Sequence, residues 1–266
     1  MTASVSALRP VPNPLEKRLI TIASGKGGVG KTWLAISLAH ALSRRGRAVL
    51  LFDGDLGLAN VDIQLGLSPT TDLADVMSGR AQLANAVTRY DDEAARSAGF
   101  DVIAGRSGAG SLIGMGRDAL IGLRQNLVAS AERYDDVLLD LGAGIEQPVA
   151  ILAHHGGRCL VVVTPEPTAI TDAYAFIKLR RMRDATADIR IVVNQASTRR
   201  EGEQTYETLS KACASFLKFT PALAGIIRRD TKVKDAIRAQ TSLLVRHPEC
   251  PAAQDVEALA ANLIKN

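Results

Sequence analysis

The feature that most constrains this fold is a glycine-rich turn between a short apolar run and a stretch with helical periodicity. Residues 19–23 are apolar or β-branched, and the turn follows them as Gly25-Lys26-Gly27-Gly28-Val29-Gly30-Lys31-Thr32. From Thr32 onward apolar residues recur at helical spacing as far as Gly46, and residues 48–52 form a second apolar run. Strand, turn, helix and strand make one βαβ unit, which predicts a parallel sheet.

The same alternation continues along the chain and predicts one α/β domain. Further strands are expected at residues 100–104, 136–141, 159–164, 189–194 and 223–227. Helices are expected at residues 117–132, 146–154, 168–184, 202–218, 233–240 and 252–264. We therefore expect a doubly wound, mainly parallel sheet flanked by helices, formed by residues 18–266 and preceded by a poorly ordered, proline-containing leader at 1–17. Ligand sites are expected at the carboxyl ends of the strands.

Composition excludes several other classes of protein. The chain has 266 residues, 47% hydrophobic and 23% charged, which is typical of a globular protein. Its cysteines, Cys159, Cys213 and Cys250, form no CxxC pair, so we expect neither a disulfide framework nor a zinc knuckle, and a reducing cytoplasm is the expected compartment. The net charge of +4 is too small to demand a nucleic acid or membrane partner.

The turn fits the pattern GxxxxGK[ST] in the context that this pattern requires, after a strand and at the start of a helix. Glycines let backbone N–H groups surround a phosphate, and the helix N-terminus adds its positive end. Lys31 would contact the β- and γ-phosphates, and the Thr32 hydroxyl would bind Mg²⁺. The alternative, an incidental glycine-rich turn, does not account for this context.

Carboxylates follow two of the predicted strands. Asp53 and Asp55 follow the strand at 48–52, and Asp140 ends an apolar run from residue 136 before Gly142 and Gly144. Such residues can hold Mg²⁺ or position a water molecule beside a phosphate. We expect Asp140 to hold Mg²⁺ directly or through water.

The turn contains another lysine, Lys26, which the general phosphate-binding pattern does not require. This lysine is part of a resemblance to a known family. The segment KGGVGKT resembles the deviant phosphate loop of the MinD/ParA family, dimeric ATPases of positioning and segregation. The resemblance implies a P-loop NTPase fold of the SIMIBI/MinD-like class that binds ATP or ADP with Mg²⁺. It also implies that Lys26 reaches across an ATP-bound homodimer, that Asp55 orients the attacking water, and that Asp53 supports the metal shell.

Further segments resemble one branch of that family, the flagellar regulators of the FlhG (or FleN) type. They are the GAGI segment at 142–145 and TPEPTAITDAY at 164–174. This resemblance implies a cytoplasmic ATP-dependent switch, at the inner membrane or cell pole in some states, that controls flagellar number or placement through flagellar regulatory or assembly proteins. Asn194 matches the family's adenine-reading asparagine. Trp33 replaces a small polar residue, and we expect its backbone N–H to serve the α-phosphate and its indole to pack nearby.

One alternative function stays open at this level. A ParA-like or MinD-like protein would position other cargo, or a division or segregation apparatus, by binding the nucleoid or a membrane. Non-specific DNA contact would use a basic stretch, Arg228, Arg229, Lys232, Lys234 and Arg238. Asp230 and Asp235 interrupt this stretch, so a solvated charged face explains it better than a DNA contact does. The helix at 252–264 has an apolar face but no Lys/Arg-rich polar face, so we expect it to pack on the sheet rather than on lipid.

An iron–sulfur scaffold is excluded because no cysteine lies near residues 53–62 or 141–146.

Overall fold

A computed structural model describes residues 13–55, 57–91, 98–105 and 115–265. Within these ranges eight strands form one sheet in the order β3-β4-β2-β5-β1-β6-β7-β8. The strands are β1 (Leu19–Ser24), β2 (Val49–Gly54), β3 (Val87–Asp91), β4 (Gly99–Ile103), β5 (Asp136–Ala143), β6 (Arg158–Val163), β7 (Asp188–Ala196) and β8 (Ala222–Arg228). The sheet is mainly parallel, as the sequence predicts, and β3 and β4 are its antiparallel pair.

Helices flank this sheet, and most follow a strand. They are α1 (Lys31–Ser43), α2 (Val61–Leu65), α3 (Leu73–Met77), α4 (Arg117–Ser130), α5 (Gln147–Leu152), α6 (Pro167–Arg183), α7 (Arg199–Leu217), α8 (Thr231–Arg238), α9 (Leu243–Arg246) and α10 (Pro251–Lys265). Helix α1 packs on α10, α4 on α5, and α6 on α7. The doubly wound α/β fold predicted from the alternating pattern is confirmed.

The register of the central strands determines where the carboxylates lie. β5 runs between β1 and β2, with Ile22 of β1 and Asp53 of β2 both opposite Asp140. All six residues of β1 and all six of β2 are buried. Because these neighbouring strands are parallel, their carboxyl ends meet the glycine-rich turn at one edge of the sheet.

The edge strand β3 is absent from the sequence predictions. Val87 pairs with Ile103 and Asp91 with Gly99, and the strand is mostly half-buried or exposed. An edge strand buries little apolar surface, so its alternation is a weak signal. The short helices α2, α3 and α9 were missed for a related reason, since four or five residues show little periodicity.

A 3₁₀ turn, Pro14–Arg18, precedes β1 at the end of the segment for which the sequence predicts a poorly ordered leader. Glu16 Oε2 accepts a hydrogen bond from the Gly156 amide at 2.9 Å, and an Arg18 nitrogen donates to the Ala131 carbonyl at 2.7 Å. These contacts hold residues 13–18 against the body. Residues 1–12 lie outside the described part of the chain.

The apolar face of α10 is covered by protein. Val256, Leu259, Ala260 and Leu263 are buried, and the helix contacts β8 and α1. The prediction that this helix packs on the sheet is confirmed. No helix in the described ranges is long and apolar enough to cross a membrane. Cys159, Cys213 and Cys250 are free thiols, as expected from their spacing.

Candidate nucleotide-binding site

The glycine-rich turn adopts a backbone conformation that is unfavourable for residues with a side chain. Gly28 and Gly30 have φ of 78° and 87°, in the left-handed region that favours glycine, and Gly30 caps α1. A Cβ on Gly30 would lie 2.6 Å from Asn194 Nδ2, and one on Gly25 would lie 2.1 Å from the Asp172 carbonyl oxygen. The turn therefore approaches two other elements closely.

A cavity of about 620 Å³ opens beside this turn. Three segments that are far apart in the chain, together with Ile237, form its walls, and its volume is within the range of small-molecule sites. The polar side chains in its walls are those of Lys31, Thr32, Asp55, Asn60, Gln64 and Glu146, and its glycines are Gly27, Gly28, Gly30, Gly54, Gly57 and Gly142. The fold thus brings the turn together with the segments that follow β2 and β5.

Lys31 is buried at the base of this turn. Its Nζ donates to Ser24 Oγ at 3.0 Å, and 8% of the residue is exposed. Burial lowers the pKa of Lys31, while the charges of Asp140 and Asp55 act in the opposite direction. A phosphate beside this amine would favour its charged form.

Asp140 carries a buried carboxylate without a well-formed hydrogen bond to any described residue. The residue is 1% exposed, and burial, followed by the charge of Asp53, raises its pKa. The Thr32 hydroxyl is close enough to offset part of this rise but does not reach hydrogen-bond geometry. The charge of Lys31 offsets this rise only in part, and a bound cation would remove the remaining cost.

These groups fit Mg²⁺. One carboxylate and one hydroxyl are a typical protein contribution, because Mg²⁺ keeps several waters and takes phosphate oxygens. Among the described residues no group of three or more His, Cys, Asp or Glu side chains could hold a metal ion. A metal here would therefore depend on the nucleotide for part of its shell.

Asp53 has a different environment from Asp140. Its Oδ2 accepts the Asn60 and Val61 amides at 2.9 and 3.0 Å, and its Oδ1 accepts the Asp55 amide at 3.2 Å. Burial raises its pKa, against the effect of these amides. Both oxygens are thus occupied, so Asp53 holds the segment after β2 in place, next to the candidate metal ligands.

Asp55 lines the cavity on that segment. Its Oδ1 accepts the Leu58 amide at 3.1 Å, and a Cβ on Gly142 would lie 3.3 Å from the same oxygen. The close approach explains why glycine suits position 142. The carboxylate lies between the segments after β2 and β5.

Lys26 lies outside the residues that line its own cavity. Its Nζ donates to Glu166 Oε2 and to Thr168 Oγ1, each at 2.7 Å. The hydrogen bond from Lys26 lowers the pKa of Glu166, which is at the surface. The Lys26 amine is therefore directed towards the start of α6 rather than towards the turn's own phosphate position.

Asn194 stands at a second cavity, of about 330 Å³, which shares Gly30, Trp33 and Ile237 with the first. Its Nδ2 donates to the Val29 carbonyl at 2.8 Å, and its Oδ1 accepts the Gln195 amide at 2.9 Å. Asn194 thus holds the turn against the end of β7 by hydrogen bonds. Sequence reasoning missed Ile237 and Gln195, and no motif marks either of them.

The basic stretch before and within α8 is divided between two environments. Arg228 pairs with Asp255, with Nε and Nη2 at 2.8 and 2.9 Å from its two oxygens. Arg229, Lys232, Lys234 and Arg238 are exposed, and Arg229 and Lys234 line the second cavity. Four of the five predicted DNA-contacting cations thus remain available to a ligand.

Residues 20–243 match the family model described as the CobQ/CobB/MinD/ParA nucleotide binding domain. The chain belongs to this family. The MinD/ParA phosphate loop proposed from Lys26 and Lys31 therefore occurs within a matching nucleotide-binding domain.

Curated relatives extend the likeness to one branch of the MinD/ParA proteins. The chain is 35% identical over 243 residues to the antiactivator FleN of Pseudomonas aeruginosa, covering 91% of this chain and 85% of that one. It is 29% identical over 251 residues to the flagellum site-determining protein YlxH of Helicobacter pylori, covering 93% and 82%. These relatives support the FlhG/FleN resemblance that the GAGI segment at 142–145 and TPEPTAITDAY at 164–174 indicate.

Solved MinD structures share the fold. The cell division ATPase MinD of Pyrococcus furiosus superimposes with a TM-score of 0.78 at 25% identity, covering 94% of this chain and 99% of that one. MinD of Pyrococcus horikoshii, solved with Mg-ADP, gives 0.76 at 24% identity, covering 93% and 96%. The MinD/ParA assignment thus agrees in sequence and in architecture.

Proposed function

We propose that this protein is an ATP-hydrolysing switch that dimerises with ATP and controls flagellar number or placement. The observation that carries the proposal is the buried, unpaired Asp140 carboxylate beside Thr32 and Lys31 in a MinD/ParA domain. The flagellar part rests on the likeness to FleN and YlxH. We expect the protein in the cytoplasm, with peripheral attachment at the inner membrane or pole as one of its states.

The nucleotide is proposed to bind by its phosphates at the turn. Backbone N–H groups from Gly25 to Trp33 and the N-terminus of α1 surround the phosphates, and the Trp33 amide serves the α-phosphate. Lys31 contacts the β- and γ-phosphates. Thr32 and Asp140 hold Mg²⁺, which neutralises phosphate charge when bound, and Asn194 supports the turn on the adenine side.

Asp55 is proposed to orient the water that attacks the γ-phosphate. Its carboxylate lines the cavity, and its backbone is held by the Asp53 carboxylate, which limits its freedom. An oriented acceptor positions the water and directs its proton away from the phosphate. Asp53 contributes by holding the segment that carries Asp55.

Lys26 is proposed to act across the dimer on the partner's nucleotide. It lies outside its own cavity, and its contacts at Glu166 and Thr168 are partly exposed to solvent. Exposed ion pairs contribute little stability, so Lys26 can exchange these partners for a phosphate. Each protomer would then complete the other's site.

The test measures oligomeric state by light scattering after size exclusion, in saturating Mg²⁺ and ATP. Asp55→Ala should form a persistent dimer, since ATP is bound but not hydrolysed, and Lys31→Ala should remain a monomer without bound nucleotide. A monomeric Asp55→Ala variant that binds ATP would contradict the dimer. Deleting the gene should change the number or position of flagella, and an unchanged pattern would contradict the flagellar role.

The second candidate is positioning of other cargo on the nucleoid. Four exposed cations at and before α8 favour it: Arg229, Lys232, Lys234 and Arg238. Binding of non-specific duplex DNA in ATP should then weaken steeply with salt, and replacing Lys232 and Lys234 by alanine should reduce the salt dependence. Salt-independent or absent binding would exclude this candidate.

A further inference from the structure

Trp33, the only tryptophan of the chain, lines both cavities, as do Gly30 and Ile237. It is the third residue of α1 and follows Thr32 directly. The side chain is largely buried, with 7% of the residue exposed. A large ring at this position is next to both the phosphate turn and the cavity at Asn194.

The indole N–H of Trp33 is buried and has no hydrogen-bond partner among the described residues. Buried tryptophan N–H groups usually find an acceptor, and one left without a partner is costly. An acceptor supplied by a ligand would remove this cost. The orphaned donor thus points to a ligand atom beside Trp33.

The second cavity has the chemistry of a site for the nucleoside half of a nucleotide. The lining is mixed: Trp33, Val233 and Ile237 are apolar, Asn194 and Gln195 carry amides, and the charged residues are Arg228, Arg229, Asp230 and Lys234. Gly30 of the phosphate turn lines both cavities, and Lys31 and Thr32 line the first. The apolar and amide groups suit a base and its ribose, and the cations suit the phosphates joined to them.

We propose that the Trp33 side chain binds the nucleoside of the nucleotide, with its ring packed against it and its Nε1–H donating to a nucleoside acceptor. This inference rests on the proposed nucleotide-binding function. It adds a side chain that contacts the nucleoside and therefore favours a nucleotide over a polyphosphate without a nucleoside. Trp33 is a binding residue and takes no part in the chemical step.

The test compares Mg-ADP with Mg-tripolyphosphate, which has phosphates but no nucleoside, by calorimetric titration. Trp33→Phe keeps an aromatic ring and removes the N–H, so its affinity for ADP should fall about 5- to 10-fold. Its affinity for tripolyphosphate should stay within about twofold of the wild type. Trp33→Leu removes the ring as well and should lose more ADP affinity, again with little change for tripolyphosphate.

The wild type provides a second readout that needs no variant. Because Trp33 is the only tryptophan, its emission reports this position alone, and ADP should shift the emission more than tripolyphosphate does. Thermal unfolding of ligand-free Trp33→Phe should stay close to the wild type, because removing the unpartnered N–H stabilises the fold while the smaller ring leaves a void that destabilises it.

Three results would overturn the inference. One is equal ADP affinity of Trp33→Phe and wild type, and another is identical emission shifts with both ligands. The third is a parallel loss of ADP and tripolyphosphate affinity, which indicates a purely structural role for Trp33. If the wild type binds neither ligand, the nucleotide site itself fails, a result that is distinct from the other three. Lys31→Ala, which should lose both ligands, is the matched control.

Discussion

At the scale of single residues, the site combines two buried charges that the protein alone compensates poorly. Burial lowers the pKa of Lys31 and raises that of Asp140. Neither shift is expected for a group optimised for stability, because each means that the charged form is destabilised by folding. Phosphate and Mg²⁺ would supply the missing partners, so ligand binding should stabilise the fold strongly.

Asp140→Asn should therefore raise the stability of the ligand-free protein at neutral pH, by ~1–3 kcal/mol. Burial raises the folded pKa to about 8, so the advantage of Asn is full above that pH, shrinks as the pH falls below it, and is gone near the unfolded pKa of Asp, where the folded and unfolded states are both protonated. Thermal unfolding from pH 9 to pH 5 would measure this. The same variant should lose the extra stability that Mg²⁺ gives in the presence of ADP.

Asp136→Asn is the matched control for that experiment. Asp136 lies on the same strand and is 5% exposed, but its carboxylate forms an ion pair with Arg47 Nε. Removing one partner of such a pair leaves the other charge uncompensated, so this variant should be destabilised. If both variants shift the unfolding temperature in the same direction, Asp140 is not an unpaired charge.

Gly30→Ala should both destabilise the protein, by ~1–3 kcal/mol, and abolish nucleotide binding. Its φ of 87° is strained for alanine, and the new Cβ would lie 2.6 Å from Asn194 Nδ2. Gly122→Ala in α4 is the control, since no atom lies within 4 Å of its Cβ, and it should gain ~0.5–1 kcal/mol. Urea unfolding and ADP titration of both variants check this, and normal ADP affinity in Gly30→Ala would contradict the role of the turn.

At the scale of elements, one buried carboxylate organises the segment between β2 and α2. Asp53 accepts amides from Asp55, Asn60 and Val61, and through them sets the start of α2. Asp53→Ala should therefore speed hydrogen exchange at the Asn60 and Val61 amides. Asp55→Ala, which removes the acceptor of the Leu58 amide, should leave those two amides protected. Equal exchange in the two variants would show that Asp53 does not anchor the segment.

Sequence periodicity predicted the long elements and missed the short or exposed ones. Helix α7 illustrates the limit, since the sequence predicts its start at residue 202 and the structure places it at Arg199. The Thr198 hydroxyl accepts the Glu201 amide at 3.1 Å, and Glu201 accepts the Ser197 amide in return. This capping pattern was readable in the sequence. Strand β3 had no comparable signal, because pairing with β4 rather than its own pattern defines it.

At the scale of the whole molecule, the dimer proposal depends on Lys26, whose amine contacts Glu166 and Thr168 within one protomer. Lys26→Ala, combined with Asp55→Ala, should bind ATP with affinity close to that of Asp55→Ala alone but remain monomeric. Lys211→Ala is the control, because Lys211 forms another exposed ion pair, with Glu207. Light scattering in the presence of ATP measures the oligomeric state of both variants, and a stable dimer without Lys26 would contradict its role across the dimer.

Local sequence determined the glycine turn, the strand–helix alternation and the carboxylates at the strand ends, because each depends on backbone freedom or periodicity within a few residues. Only the tertiary structure decided how these parts meet. The β2–β5 register sets Asp53 opposite Asp140, and β7 brings Asn194 to Val29. Those contacts join residues distant in the chain, and the cavity that Trp33 lines with Asn194 and Ile237 does the same. Their geometry follows from the packing of the whole sheet and its helices, which no short segment encodes.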